Sequence, residues 1–185
     1  MKGYSELVKE ALVHASEQGI RLQIYVTETR PQCDGYRMYE ELINSRVDCT
    51  LVVDSAIGVV LEEVDYVISG AEIVTENGGI VNRLGTYTLA ICAKALEKPF
   101  YVFAENYKFV RQFPLCQKDL EKDATRNSEF FLCDSSLNTI KGNKDVQVLC
   151  PICDFTPGQY ISFVITDARI FQPSAVSDEL LQLFT

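Results

Sequence analysis

The sequence is poor in histidine. His14 is the single one in 185 residues, so no Ser-His-Asp or Cys-His arrangement is on offer beyond that position. His14 falls between Leu12 and Ala15 in a helical pattern, where a half-buried packing role is expected. Positive charge is also scarce: 17 Lys and Arg stand against 26 Asp and Glu, a net charge of −9. Such a surface repels a phosphate backbone, which argues against nucleic-acid and anionic-membrane binding and favours a basic protein partner. Apolar runs stop at about seven residues, far short of the ~20 that span a bilayer. Neither GxxxxGK[ST] nor GxGxxG occurs, which argues against a nucleoside triphosphatase or a dinucleotide enzyme.

Cysteine is present in an odd number, at positions 33, 49, 92, 116, 133, 150 and 153, with no signal peptide ahead of it. That pattern suits a reducing cytosol. One CxxC occurs, Cys150-Pro-Ile-Cys153, but zinc needs four ligands and no second pair accompanies it. No strand runs straight into a helix there either, so these are expected to be plain thiols in a loop or at a strand edge.

What the chain has in quantity is alternation. Residues 5 to 18 place Leu7, Val8, Ala11, Leu12 and Ala15 on one helical face, with Ser5 as N-cap and Gly19 as stop. Strands are expected at 21 to 28, 49 to 54, 66 to 70, 100 to 105 and 160 to 167. Helices are expected at 35 to 46, 55 to 64, 86 to 98 and 173 to 184. Short apolar strands alternating with longer helices predict an α/β class: a Rossmann-like, mainly parallel sheet with helices on both faces, in a single domain over 1 to 185. Residues 115 to 148 break the rhythm and predict an irregular, partly mobile excursion. A doubly wound sheet ordinarily opens on a strand, and this chain opens on a helix, so a strand is expected to be missing at the front.

The chemistry concentrates between Tyr66 and Ala90. An acid, Glu72, follows an apolar strand; a turn at Asn77, Gly78 and Gly79 comes next; Asn82 and Arg83 stand just ahead of Gly85 and Thr86 at a helix start. A helix N-terminus offers unpaired N–H groups and a favourable dipole, which suits a small phosphorylated ligand. Each expected strand leads into an acid (Glu28, Asp54, Glu72, Glu105, Asp167), and Arg30, Arg83, Lys108 and Arg169 lie close by in sequence. In open parallel sheets ligands bind beyond the carboxyl ends of the strands. Such a ring can hold sugar hydroxyls and a phosphate, or it can cap helices and pair with itself.

The segments YVTETRPQCDGYRM, VVDSAIGVVLEEVDYVISGAEIVTENGGIVNRLGTYTLAICAK, KPFYVFAENYKFVRQFPL and ITDARIFQPSAVSDELL resemble the family of alpha subunits of eukaryotic translation initiation factor 2B. That resemblance implies the C-terminal, Rossmann-like domain of a longer chain. It implies a non-catalytic regulatory subunit, a cytoplasmic homodimer joined to beta, gamma, delta and epsilon subunits in the guanine nucleotide exchange factor for initiation factor 2, which helps sense phosphorylated factor 2. The wider superfamily includes isomerases of methylthioribose 1-phosphate and ribose 1,5-bisphosphate, so an aldose-ketose isomerase or a phosphosugar-binding protein is the alternative. Against those enzymes the chain has Gly3 at a Cys position, Glu72 at an Asp, Arg83 at a Lys beside Asn82, and Asp34 at a Gln. Gly3 offers no acid-base group, and Glu72 moves its carboxyl by one methylene. An Arg still forks onto phosphate. The resemblance therefore implies phosphosugar-binding residues Arg30, Glu72, Asn82 and Arg83, with no catalytic residue, metal or cofactor.

Overall fold

A computed structural model describes residues 1–120 and 149–183. Helix α1 (Glu6–Glu17) starts where Ser5 Oγ accepts from Val8 N and ends ahead of Gly19, whose φ of 79° only glycine adopts freely. Strand β1 (Ile24–Thr27) follows, then α2 (Asp34–Asn44), β2 (Cys49–Val52), α3 (Ile57–Glu63) and β3 (Val67–Gly70). A short pair, β4 (Ile73–Thr75) and β5 (Ile80–Arg83), precedes α4 (Thr86–Ala95). The chain continues through β6 (Phe100–Phe103), β7 (Phe109–Val110), β8 (Cys153–Thr156), β9 (Phe163–Ile165), β10 (Ile170–Phe171) and α5 (Val176–Leu183).

Two sheets result. In the first, β1 pairs with β2, and β3, β6 and β9 lie side by side, all parallel, with β10 antiparallel at the edge. Lys2 joins the two groups through parallel bridges to Thr27 of β1 and Ser69 of β3. The order is therefore β2, β1, Lys2, β3, β6, β9, β10. The second sheet runs β7-β4-β5-β8, with β5 antiparallel to both neighbours and β4 parallel to β7. The fold is α/β with mixed sheets: parallel pairing prevails in the first sheet only, which corrects the expectation of one mainly parallel sheet. The second sheet's two central strands, β4 and β5, arise inside the stretch expected to be a loop, because Asn77-Gly78 makes the turn between them, with Gly78 at φ 75°.

Helices cover both faces of the first sheet. Val8 and Leu12 of α1 and Met38 and Leu42 of α2 pack with Ile24, Val26 and Cys49 on one side. On the other, Ile57, Leu61, Leu89, Val176 and Leu180 of α3, α4 and α5 pack with Val67, Phe100, Val102 and Val164. His14 is solvent-exposed in the last turn of α1, not half-buried as expected. Most of the expected excursion, residues 121 to 148, lies outside the described residues. Its first part is docked: Gln117 Nε2 donates to Phe155 O (2.6 Å) and Phe155 N donates to Gln117 Oε1 (2.8 Å), holding the 117–119 turn against β8. The Cys153 thiol opens β8 and Cys150 is buried just ahead of it, neither in a disulfide.

Candidate functional site

The carboxyl ends of β1, β2 and β3 meet where Lys2 and Gly3 pass between them. Lys2 is buried, 2% exposed, and its ammonium donates to Asp54 Oδ1 at 2.8 Å. Asp54 stands just past β2 and also accepts from Thr29 N (3.1 Å) and Arg30 N (2.6 Å). Thr29 is fully buried at φ 61°, a conformation that a β-branched residue rarely adopts. It is held there by its bond to Asp54, by Gly3 N donating to its Oγ1 (2.9 Å), and by its own hydroxyl donating to Thr27 O (3.1 Å). Backbone strain fixed by so many partners is a mark of functional sites.

The four residues implied by the resemblance are not gathered into one open cradle. Arg83 sits beside Gly3, its Nε 2.9 Å from Asp34 Oδ2 and its Nη2 3.7 Å from Glu72 Oε1. Glu72 is half exposed at the rim. Asn82 is buried, and its amide donates inward to Ser69 Oγ (2.9 Å) and Thr86 Oγ1 (3.2 Å). Arg30 is exposed and pairs with Glu28 at 3.2 Å, which holds its guanidinium further toward deprotonation-resistant values.

The start of α4 is already occupied. Asp154 of β8 accepts from Gly85 N (2.6 Å) and Tyr87 N (3.1 Å), so the anion at this helix N-terminus is the chain's own carboxylate. Register explains the reach: Asp154 stands opposite Asn82 across the β5–β8 pair. Burial pushes its carboxyl up to about 6, against the pull of the α4 N–H groups and Lys2. Burial likewise pushes the Cys153 thiol up, while Arg83 draws it down. Space is tight here: a Cβ on Gly85 would come within 2.8 Å of Lys2 Nζ.

Sequence reasoning missed Lys2, Thr29 and Asp154. A lysine in the apolar leading segment was the available signal for Lys2; the buried run Asp154-Phe155-Thr156 gave none until its pairing with β5 was known. Among the described residues, no cluster of His, Cys, Asp and Glu has a metal-holding arrangement.

Opposed charges meet at the carboxyl ends of parallel strands, beside the position where the strand order reverses, and the class is that of open α/β folds. The initiation factor 2 subunit family matches residues 1–173, and the chain belongs to that family. It is 41% identical over 183 residues to translation initiation factor eIF2B subunit alpha of Dictyostelium discoideum, covering 98% of this chain and 57% of that protein. The subunit of the same name from Caenorhabditis elegans is 36% identical over 181 residues, 98% of this chain and 56% of that protein. Ribose 1,5-bisphosphate isomerase of Methanocaldococcus jannaschii is 31% identical over 91% of this chain and 53% of the enzyme. Among solved structures, translation initiation factor eIF-2B of Pyrococcus horikoshii superposes with a TM-score of 0.77 at 28% identity, covering 93% of this chain and 57% of that one. The chain thus spans little more than half the length of the relatives it matches.

Proposed function

We propose that this chain works as an alpha-type regulatory subunit of the guanine nucleotide exchange factor for translation initiation factor 2, without catalysis of its own. The observation that carries this reading is the 41% identity to an eIF2B alpha subunit over nearly the whole chain. The site supports it. The resemblance puts Gly3 at a Cys position of the related isomerases, Arg83 pairs with Asp34 at 2.9 Å and lies 3.7 Å from Glu72, and Asp154 fills the α4 N-terminus. In this reading the subunit is a cytoplasmic homodimer that joins the beta, gamma, delta and epsilon subunits and takes part in sensing phosphorylated factor 2. No described helix is long and apolar enough to cross a membrane. Affinity capture of the full-length protein from cells tests it: the other exchange-factor subunits are expected to come along, and their absence would overturn the reading.

A second reading rests on Lys2, Arg83 and Arg30, three cations near the strand ends. In it the pocket keeps a sugar phosphate without turning it over, with Arg83 forking onto the phosphate and Arg30, Glu72 and Asn82 around it. Calorimetry with aldose phosphates tests this on full-length protein. Heat that Arg83→Ala reduces is expected; no heat with any of them would count against it. Turnover abolished by Glu72→Gln would instead establish the isomerase.

A further inference from the structure

Arg83 is shared between two carboxylates that come from different parts of the chain. It closes β5 opposite Cys153 of β8, and its side chain runs past Gly3, where a Cβ would stand 3.7 Å from Arg83 Cγ. Asp34, the first residue of α2, meets its Nε at 2.9 Å. Glu72, just past β3, lies 3.7 Å from Nη2 of the same guanidinium. The neighbouring cations are taken as well: Lys2 is held by Asp54 at 2.8 Å and Arg30 by Glu28 at 3.2 Å. Four carboxylates thus stand against three cations at this rim, and the surplus negative charge lies at Arg83.

That balance decides what a phosphate must bring with it. The head of α4 offers no vacant donors at Gly85 N and Tyr87 N, which Asp154 already holds, so an incoming phosphate depends on Arg83. A phosphate dianion there adds two negative charges and strips Asp34 and Glu72 of their common partner. When the rest of the ligand carries only hydroxyls, both carboxylates are left beside the phosphate without a counter-charge. An ammonium on the same ligand removes the conflict. It takes over the carboxylates that the guanidinium releases, and its three donors suit two acceptors converging on one point. The Arg83 side chain is 32% exposed, so its guanidinium turns from Asp34 to the phosphate without any movement of the core.

We propose that the ligand class of this site is zwitterionic: a sugar phosphate that also carries a free amine, with its phosphate on Arg83 and its ammonium between Asp34 and Glu72. The proposal rests on the second reading above, in which the pocket holds a sugar phosphate without turning it over. Asp34 and Glu72 then set specificity, and Arg83 supplies the anchor.

Calorimetry on full-length protein at pH 7 tests it with four matched probes: glucosamine 6-phosphate, glucose 6-phosphate, N-acetylglucosamine 6-phosphate and glucosamine. Glucosamine 6-phosphate is expected to bind about tenfold more tightly than glucose 6-phosphate or the N-acetyl compound, whose amine has lost its charge. Glucosamine alone is expected to bind most weakly of the four. Asp34→Asn should weaken glucosamine 6-phosphate while tightening glucose 6-phosphate, a crossing that a general loss of structure does not produce. Equal binding of the three phosphates would overturn the proposal and leave the sugar-phosphate reading standing. Glucosamine binding as tightly as its phosphate would also overturn it, since the phosphate would then contribute nothing. No heat from any of the phosphates would overturn the proposal together with the reading beneath it.

Discussion

Lys2 and Asp54 form an ion pair of unequal burial: the ammonium side chain is 1% exposed and the carboxylate 24%. Removing either partner therefore has different consequences. Asp54→Asn leaves a buried ammonium without its counter-charge and is expected to cost about 3–5 kcal/mol. Lys2→Met leaves a carboxylate that still accepts from Thr29 N and Arg30 N and reaches water, so the loss should be about half that. Urea unfolding at pH 7 measures both; the reverse order would contradict this account of the pair.

Asp154 gives the fold an acid-side advantage. Its carboxyl is raised to about 6 in the folded state, so between about 4 and 6 the native chain binds more protons than the unfolded one. This group's contribution to stability is thus greatest below about pH 4 and is lost as pH rises through 6, by up to about 3 kcal/mol. Comparing unfolding at pH 5 and pH 7.5 in the wild type and in Asp154→Asn isolates it. The wild type should lose more stability over that interval than the variant.

Glu41 acts in the opposite direction. Arg37 first, then Lys9 and Tyr4, hydrogen-bond its carboxylate and lower it to about 2, tying α1 to α2. Stability from this network is present above about pH 4.5 and lost as pH falls through 2. Glu41→Gln is expected to cost about 1 kcal/mol at pH 7 and less at pH 2.5, and added salt should shrink the difference. Denaturant titrations at the two pH values check it.

Gly35 admits no side chain. A Cβ there would lie 1.8 Å from Thr27 O, on backbone at the end of β1 that has nowhere to retreat. Gly35→Ala is expected to destabilise by more than about 3 kcal/mol or to prevent folding. Gly58→Ala, on the exposed side of α3 with open space around it, should be neutral or slightly stabilising. Circular dichroism melts of the two variants provide the comparison.

Arg83 is held by Asp34 at 2.9 Å, so a phosphate on its guanidinium competes with that carboxylate. If the pocket takes a sugar phosphate, Asp34→Asn should tighten it by roughly fivefold and Arg83→Ala should weaken it. Isothermal calorimetry on full-length protein reads both; tighter binding in Arg83→Ala would exclude Arg83 as a ligand.

Local periodicity carried much of the fold. The 3.6-residue pattern with Ser5 and Gly19 placed α1, and short apolar runs placed β1, β2, β3 and β6. The second sheet escaped because β4 has three residues and β7 two, too short for alternation to show, and because β8 follows a long separation in sequence. At the site, Glu72 and Arg83 were legible as charges beside a strand end. Asn82 was legible as a polar residue but not as an inward-facing one, since that depends on Ser69 and Thr86 closing over it. Asp154 could not be read at all, because its partners at Gly85 and Tyr87 lie nearly seventy residues away, and only the β5–β8 pairing brings them together.

The carboxylate of Asp154 at the head of α4 acts as a tethered rival to any incoming anion. An intramolecular competitor works at an effective concentration set by geometry, not by supply. A phosphate that reaches Gly85 N and Tyr87 N must therefore displace a group that never diffuses away. Selectivity at that helix end then falls to dianions strong enough to win the exchange.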